Sequence, residues 1–182
     1  MKAVVQRICL SVLACGISCI GMPLLPAKEF LTPKEIEKIQ EAQELDKRVK
    51  LYLDAAALRL KTVEERFRGQ ESNPGDPLEF FSIEEMLEGY CRIVRSVMFN
   101  VDDSFQNPAS DREKLSKALK NLKDTTEKAS KDLQVLKRLA EEKKNEEAWN
   151  LVSRGIEITG GAREGAETGL ARFPGKSKTK TK

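Results

Sequence analysis

Residues 115–140, LSKALKNLKDTTEKASKDLQVLKRLA, carry the pattern that decides the fold. Apolar or small side chains recur there at alternating spacings of four and three residues, at Leu115, Leu119, Leu122, Thr126, Ala129, Leu133, Leu136 and Ala140. This alternation is a heptad repeat, which places the side chains along one face of an α-helix. Most remaining positions hold Lys, Asp, Glu and other polar residues, which suit a solvated outer face. The repeat predicts a long helix over residues 111–144.

Three further stretches have helical periodicity and predict helices over residues 33–68, 83–105 and 146–170. The first can bend near Asp46. Residues 111–170 allow either one continuous helix or a hairpin. We expect a hairpin, because Lys143 and Lys144 suit a helix C-terminus and Asn145 suits the start of the next helix.

Three capping boxes mark expected helix starts, at residues 32–35 (TPKE), 82–85 (SIEE) and 110–113 (SDRE). In each, a Ser or Thr side chain and a Glu three residues later satisfy backbone N–H groups reciprocally. Amphipathic helices with these boundaries predict an all-α fold, an elongated antiparallel bundle of about four helices over residues 28–171. Residues 172–182 lack periodicity and are rich in Lys, which predicts a disordered basic tail.

The first 27 residues are typical of an export signal. Lys2 and Arg7 precede an uncharged apolar run over residues 8–22, and Ala27 offers a cleavage point before Lys28. Two alternatives remain. Cys15 or Cys19 can be the acylated residue of a lipoprotein, or the uncleaved segment can anchor the chain in a membrane. Each alternative places the protein in the periplasm or cell envelope.

The composition excludes several kinds of function. The chain has no histidine, which removes His-based catalysis and His-ligated metal sites. The formal net charge is only +3, and Lys176, Lys178, Lys180 and Lys182 lie in the tail, so the body lacks a basic face for nucleic acid. We therefore expect no enzyme activity, no catalytic residue, no cofactor, no metal site and no nucleic-acid partner.

Four residues of the last predicted helix are candidates for an interaction surface: Trp149, Gly161, Gly165 and Gly169. Trp149 is the sole tryptophan, and the glycines recur every four residues, which allows a close approach of another helix. Packing inside the bundle is the alternative interpretation for all four. Cys91 is the one cysteine after the leader, and we expect it to be a small buried side chain rather than a reactive thiol.

Residues 31–35, Leu-Thr-Pro-Lys-Glu, open a long predicted helix just after an export signal. They resemble the Leu-Thr-x-x-Gln motif of the Spy/CpxP-type periplasmic chaperones, with Glu35 in the place of Gln. Residues 51–60 resemble uncharacterised exported acidobacterial-type helical proteins. The first resemblance implies a chaperone-like role, and the second implies no activity.

These patterns lead to one main functional hypothesis and two alternatives. The main hypothesis is an exported, non-enzymatic helical-bundle protein that acts through protein–protein or envelope interaction. It expects a protein partner or self-association, and contact with a membrane only through a retained leader. The alternatives are a periplasmic chaperone-like protein and a protein that binds metal through carboxylates alone.

Overall fold

The computed structural model describes residues 30–173. Within them the chain forms five α-helices: α1 (Pro33–Glu41), α2 (Leu45–Phe67), α3 (Ile83–Gln106), α4 (Arg112–Glu142) and α5 (Glu146–Ala171). The predicted all-α helical bundle is confirmed. The predicted export leader, including Cys15 and Cys19, lies outside the described residues, as do residues 174–182 of the predicted tail.

The heptad face of α4 forms the centre of the core. Each of its eight apolar or small positions, from Leu115 to Ala140, is buried. Thr126 is the one hydroxyl among them, and it donates to the carbonyl oxygen of Leu122 at 2.7 Å. Burying one leucine side chain stabilises a fold by about 1.5–3 kcal/mol, so this face contributes strongly to the stability of the bundle.

The hairpin prediction for residues 111–170 is confirmed, because α4 and α5 are separate helices. Lys144 adopts a left-handed conformation, with φ of 54°, which reverses the chain. Asn145 then begins α5, and its side-chain oxygen accepts a hydrogen bond from the Ala148 N–H at 2.9 Å. The Asn cap satisfies an N–H that would otherwise have no partner at the helix start.

The single helix predicted over residues 33–68 is wrong, because residues 42–44 separate α1 from α2. Ala42 is extended, and its carbonyl oxygen accepts a hydrogen bond from Arg48 Nε at 3.1 Å. No Pro or Gly marks this break, but it lies close to Asp46, where the sequence allows a bend. The side chain of Arg48 instead stabilises the exposed carbonyl end of α1.

Two of the three predicted capping boxes form, at residues 32–35 and 82–85, with both reciprocal hydrogen bonds present. The third prediction is wrong. Asp111 rather than Ser110 caps α4, and its Oδ1 accepts hydrogen bonds from the N–H groups of Glu113 at 2.9 Å and Lys114 at 3.2 Å. Asp caps a helix as well as Ser does, and it sits one residue closer to the helix.

The helices pair as two antiparallel hairpins, α2–α3 and α4–α5, that pack side by side. Across the hairpins, α2 lies along α4, and α3 lies along α5. Both of these pairs are parallel, because Glu44 at the start of α2 binds Lys114 near the start of α4, and Glu84 at the start of α3 binds Asn145. The short link over residues 107–111 therefore crosses the bundle diagonal from α3 to α4.

The longer link, over residues 68–82, is held by one side chain of α2. The guanidinium of Arg66 donates hydrogen bonds to the carbonyl oxygens of Leu78 at 2.7 Å and Glu79 at 3.1 Å, and also to that of Phe81. Leu78 is buried beneath the link. Arg66 thus supplies the hydrogen-bond donors that a helix or strand would otherwise provide, because backbone carbonyl groups near the protein interior need donors.

None of the helices within residues 30–173 is long and apolar enough to span a bilayer.

Candidate interaction site at the α4–α5 hairpin

Trp149 lies in the first turn of α5, and its side chain is only partly covered, with 37% of the residue exposed. Because α4 and α5 run antiparallel, Lys137 near the end of α4 lies across from it. The Lys137 Nζ stands 4.5 Å from the centroid of the Trp149 ring. A cation at this distance is attracted by the face of the indole, which holds the ring in one orientation.

A depression of about 490 Å³ lies beside the indole at the hairpin turn. It is lined by residues 140–141, 144–146 and 149–150, which we call the Trp149 surface. The apolar part of the surface consists of the indole of Trp149 and the methyl group of Ala140. The polar part consists of Lys144 and of acidic and amide side chains. This composition suits a contact with an apolar anchor at its centre and hydrogen bonds at its edge.

The turn beneath the Trp149 surface is fixed by two hydrogen bonds of Asn145. Its side-chain oxygen caps α5, and its side-chain nitrogen donates to Glu84 Oε1 at 2.9 Å, which joins the turn to the start of α3. Burial alone raises the pKa of Glu84. The hydrogen bond from Asn145 and those at the start of α3 outweigh burial, so its pKa lies below the ordinary value. Glu84 is therefore ionised at neutral pH and holds the turn.

The three predicted glycines do not form one packed ridge. A Cβ at Gly161 or Gly165 would meet no neighbouring atom within 4 Å, so both glycines face open space. Gly169 is buried, and a Cβ there would lie 3.0 Å from Leu119 and 3.1 Å from Phe105. Of these three glycines, only Gly169 allows close packing within the bundle, and none of the three lines the Trp149 surface.

Cys91 is buried in α3 between the two hairpins. Burial raises the pKa of its thiol to about 11, so the nucleophilic thiolate is scarce at neutral pH. The Sγ approaches the carbonyl oxygen of Leu151 at 4.0 Å. This environment agrees with the prediction of a small buried side chain.

Sequence reasoning missed a buried ion pair. The side chain of Arg59 in α2 is 0% exposed and that of Glu35 in α1 is 16% exposed. Two hydrogen bonds of 2.9 Å join them, from Arg59 Nη1 to Oε1 and from Nη2 to Oε2. The same guanidinium donates to the carbonyl oxygens of Ala55 at 2.7 Å and Phe30 at 2.6 Å. Such two-pronged pairing is the strongest arrangement available to an arginine and a carboxylate.

Glycine makes room for this pair. Gly89 of α3 lies against Arg59, and a Cβ at position 89 would stand 3.1 Å from Arg59 Nε. Glu35 also accepts a hydrogen bond from the Thr32 N–H at 2.7 Å, as part of the first capping box. The Glu of the Leu-Thr-Pro-Lys-Glu segment therefore has two structural tasks, because it begins α1 and ties α1 to α2. The capping box can be recognised in the sequence, because its residues are close neighbours. The pairing of Glu35 with Arg59 cannot, because the two residues are 24 positions apart.

Residues 30–173 hold no cluster of three or more His, Cys, Asp or Glu side chains arranged to bind a metal ion. Comparison of the chain with protein-family models, with curated proteins and with solved structures finds no match.

Proposed function

We propose that the protein is an exported, non-enzymatic helical bundle that acts by binding a protein partner through the Trp149 surface. The observation that carries this proposal is the half-exposed indole of Trp149, held by Lys137 beside a depression at the hairpin turn. Tryptophan is enriched among the residues that contribute most to protein–protein affinity. An apolar partner side chain seated in the depression would complete the burial of the indole.

The rigidity of the turn supports a binding role. Asn145 joins the turn to α3, and α4 packs along α5 over its whole length. A surface that is ordered before binding loses little conformational entropy when a partner arrives, so more of the contact energy appears as affinity. This property distinguishes the Trp149 surface from the exposed side chains of a mobile loop.

Export is part of the proposal, and it rests on the leader at residues 1–27. The mass of the mature protein from its native host tests it. A mass that corresponds to residues 28–182 supports a soluble exported protein. A chain that begins at Cys15 or Cys19 with acyl groups, or a full-length chain, supports attachment to the membrane. A full-length protein recovered in the cytoplasm would contradict export.

The partner is tested by photo-crosslinking in the native host. A photoreactive amino acid replaces Asn150, which is exposed beside Trp149, and in a control protein it replaces Thr168, which is exposed near the other end of α5. The two positions are about 27 Å apart along the helix. We expect a discrete crosslinked species from position 150 that is weak or absent from position 168, and that is lost in Trp149→Ala.

Two results would contradict binding through this surface. The first is the same set of crosslinked species from both positions. The second is a crosslink from position 150 that persists unchanged in Trp149→Ala. If the purified protein and its Trp149→Ala variant both slow the aggregation of an unfolded protein equally, the chaperone-like alternative replaces this proposal.

A further inference from the structure

A cavity of about 120 Å³ lies between the parallel helices α2 and α4, and its inner side reaches α3. Its lining includes Leu53 and Leu60 of α2, Val94 and Tyr90 of α3 and Ala129 of α4. It is separate from the Trp149 surface, with which it shares no residue. The cavity exists because both helices present short side chains at this level, at Ala56 and Ala129, where neighbouring levels hold leucine.

Two hydroxyl groups of the lining, those of Tyr90 and Thr126, already have hydrogen-bond partners. The Tyr90 hydroxyl forms a 2.6 Å hydrogen bond with Thr159 of α5. The Thr126 hydroxyl donates to carbonyl oxygens of its own helix, at 2.7 Å to Leu122 and 2.9 Å to Lys123. A buried water molecule needs two to four polar partners, and this interior offers mainly apolar surface. An apolar group therefore fits the cavity better than water does.

Two charged side chains of α4, Lys128 and Asp132, lie at the edge of the cavity. Asp132 is in part exposed to solvent, and it forms no ion pair or hydrogen bond with any residue in the described range 30–173. Burial raises the pKa of its carboxyl, and the negative charge of Glu64 on α2 raises it further. Lys128, one turn earlier on α4, lines the same edge without reaching Asp132. The opening thus carries a carboxylate that a cation would stabilise.

We propose that the cavity between α2 and α4 binds a small primary amine, whose apolar group of about one aromatic ring fills the space beside Ala129 while its ammonium lies at Asp132. The volume of about 120 Å³ is of the same order as that of an engineered apolar cavity of about 150 Å³ in another protein, which takes up benzene. The proposal goes beyond partner binding and does not depend on it, since the Trp149 surface lies elsewhere.

Titration followed by amide chemical shifts tests the proposal, with benzylamine as the probe and benzyl alcohol as its uncharged counterpart. We expect saturable shifts at Ala56, Tyr90 and Ala129, and none at the indole N–H of Trp149. We expect benzylamine to bind about fivefold more tightly than the alcohol, because a carboxylate at the edge of a site contributes modestly. In Asp132→Asn this difference should disappear while the alcohol still binds.

Ala129→Leu fills the space and should abolish binding of both probes. The matched control, Ala171→Leu, adds the same atoms at an exposed position of α5 and should bind like the unaltered protein. A second measurement does not depend on the folding of Ala129→Leu. The unaltered protein should take up xenon, with chemical-shift changes at the same residues. The proposal is overturned if neither probe nor xenon shifts the cavity residues, if a folded Ala129→Leu still binds, or if Asp132→Asn keeps the preference for the amine.

Discussion

The guanidinium of Arg59 and the carboxylate of Glu35 meet in the protein interior through two parallel hydrogen bonds of 2.9 Å. The pair joins α1 to α2 and leaves Arg59 with no exposed surface. Removal of one partner leaves the other charge buried and uncompensated, whereas removal of both leaves only a cavity. The two cases therefore have different consequences for stability.

Glu35→Ala should lower the free energy of unfolding by about 3–5 kcal/mol, as is typical when one member of a buried ion pair is removed. Urea denaturation measures the change. Lys50→Ala is the matched control, because Lys50 and Asp54 form an exposed ion pair at 2.6 Å, and such pairs contribute about 0–1 kcal/mol. Equal effects of the two substitutions would show that the buried pair contributes no more than a surface pair.

The pair also makes stability depend on pH in the acid range. Burial by itself raises the pKa of Glu35, but the hydrogen bonds from Arg59 and Thr32 and the charge of Arg59 hold it below its ordinary value. A carboxyl whose pKa is lowered on folding contributes its full stabilisation above its unfolded pKa, and loses it as pH falls through its folded pKa. Glu35→Gln should therefore flatten the loss of stability below about pH 4.5. An unchanged slope in acid denaturation would contradict this assignment.

Two glycines of α5 should respond in opposite directions to the same substitution. Gly161→Ala adds a methyl in open space and should stabilise the protein by about 1 kcal/mol, since alanine favours the helix. Gly169→Ala forces a methyl against Leu119 and Phe105 at 3.0–3.1 Å and should destabilise it by about 1–3 kcal/mol. Thermal unfolding of both variants measures the difference. A destabilising Gly161→Ala would show that the outer face of α5 is covered in the folded protein.

The start of α4 distinguishes two neighbouring caps. Asp111→Ala should cost about 1 kcal/mol, because Asp111 accepts hydrogen bonds from two backbone N–H groups of the first turn. Ser110→Ala should change stability by less than about 0.5 kcal/mol, the usual size for a surface position. The denaturant midpoints of the two variants give the comparison. A larger loss of stability in Ser110→Ala than in Asp111→Ala would support Ser110 as the cap, as the sequence predicted.

Cys91 should be unreactive in the folded protein. In the chain that begins at residue 28 it is the sole cysteine, and its thiol is buried with a pKa raised to about 11. A thiol-specific reagent at neutral pH should therefore label the protein only at the rate of its unfolding, while denatured protein reacts at once. Fast labelling under native conditions would show that the core around α3 opens readily.

The sequence predicted features that depend on neighbouring residues and missed those that depend on distant ones. The heptads of α4 and the boxes at Thr32 and Ser82 were correct, because periodicity and capping act within one or two turns. The Arg59–Glu35 pair was missed because its partners are far apart in the sequence and Gly89 of a third helix makes the space. The break at residues 42–44 was expected only as a bend near Asp46, because neither Pro nor Gly marks it and the side chain of Arg48 stabilises it.

The Trp149 surface was predicted in part. The sequence singled out Trp149, but it could not distinguish a packed indole from a half-exposed one, because that depends on how Lys137 of α4 aligns with α5. Periodicity grouped Gly161, Gly165 and Gly169 together, although only Gly169 meets another helix. The spacing fixes the face of a helix on which a residue lies, while the neighbouring helices determine which part of that face is covered.

The diagonal link between α3 and α4 has a kinetic consequence. Because the two hairpins associate through parallel pairs, the contacts that close the core join residues about 70 positions apart, as in the hydrogen bonds of Tyr90 with Thr159 and of Lys114 with Glu44. Folding rates fall as the mean sequence separation of contacts rises. Each hairpin can form early from local contacts, but their association must first close a large loop. The association of the two hairpins should therefore be slower than the formation of either hairpin alone.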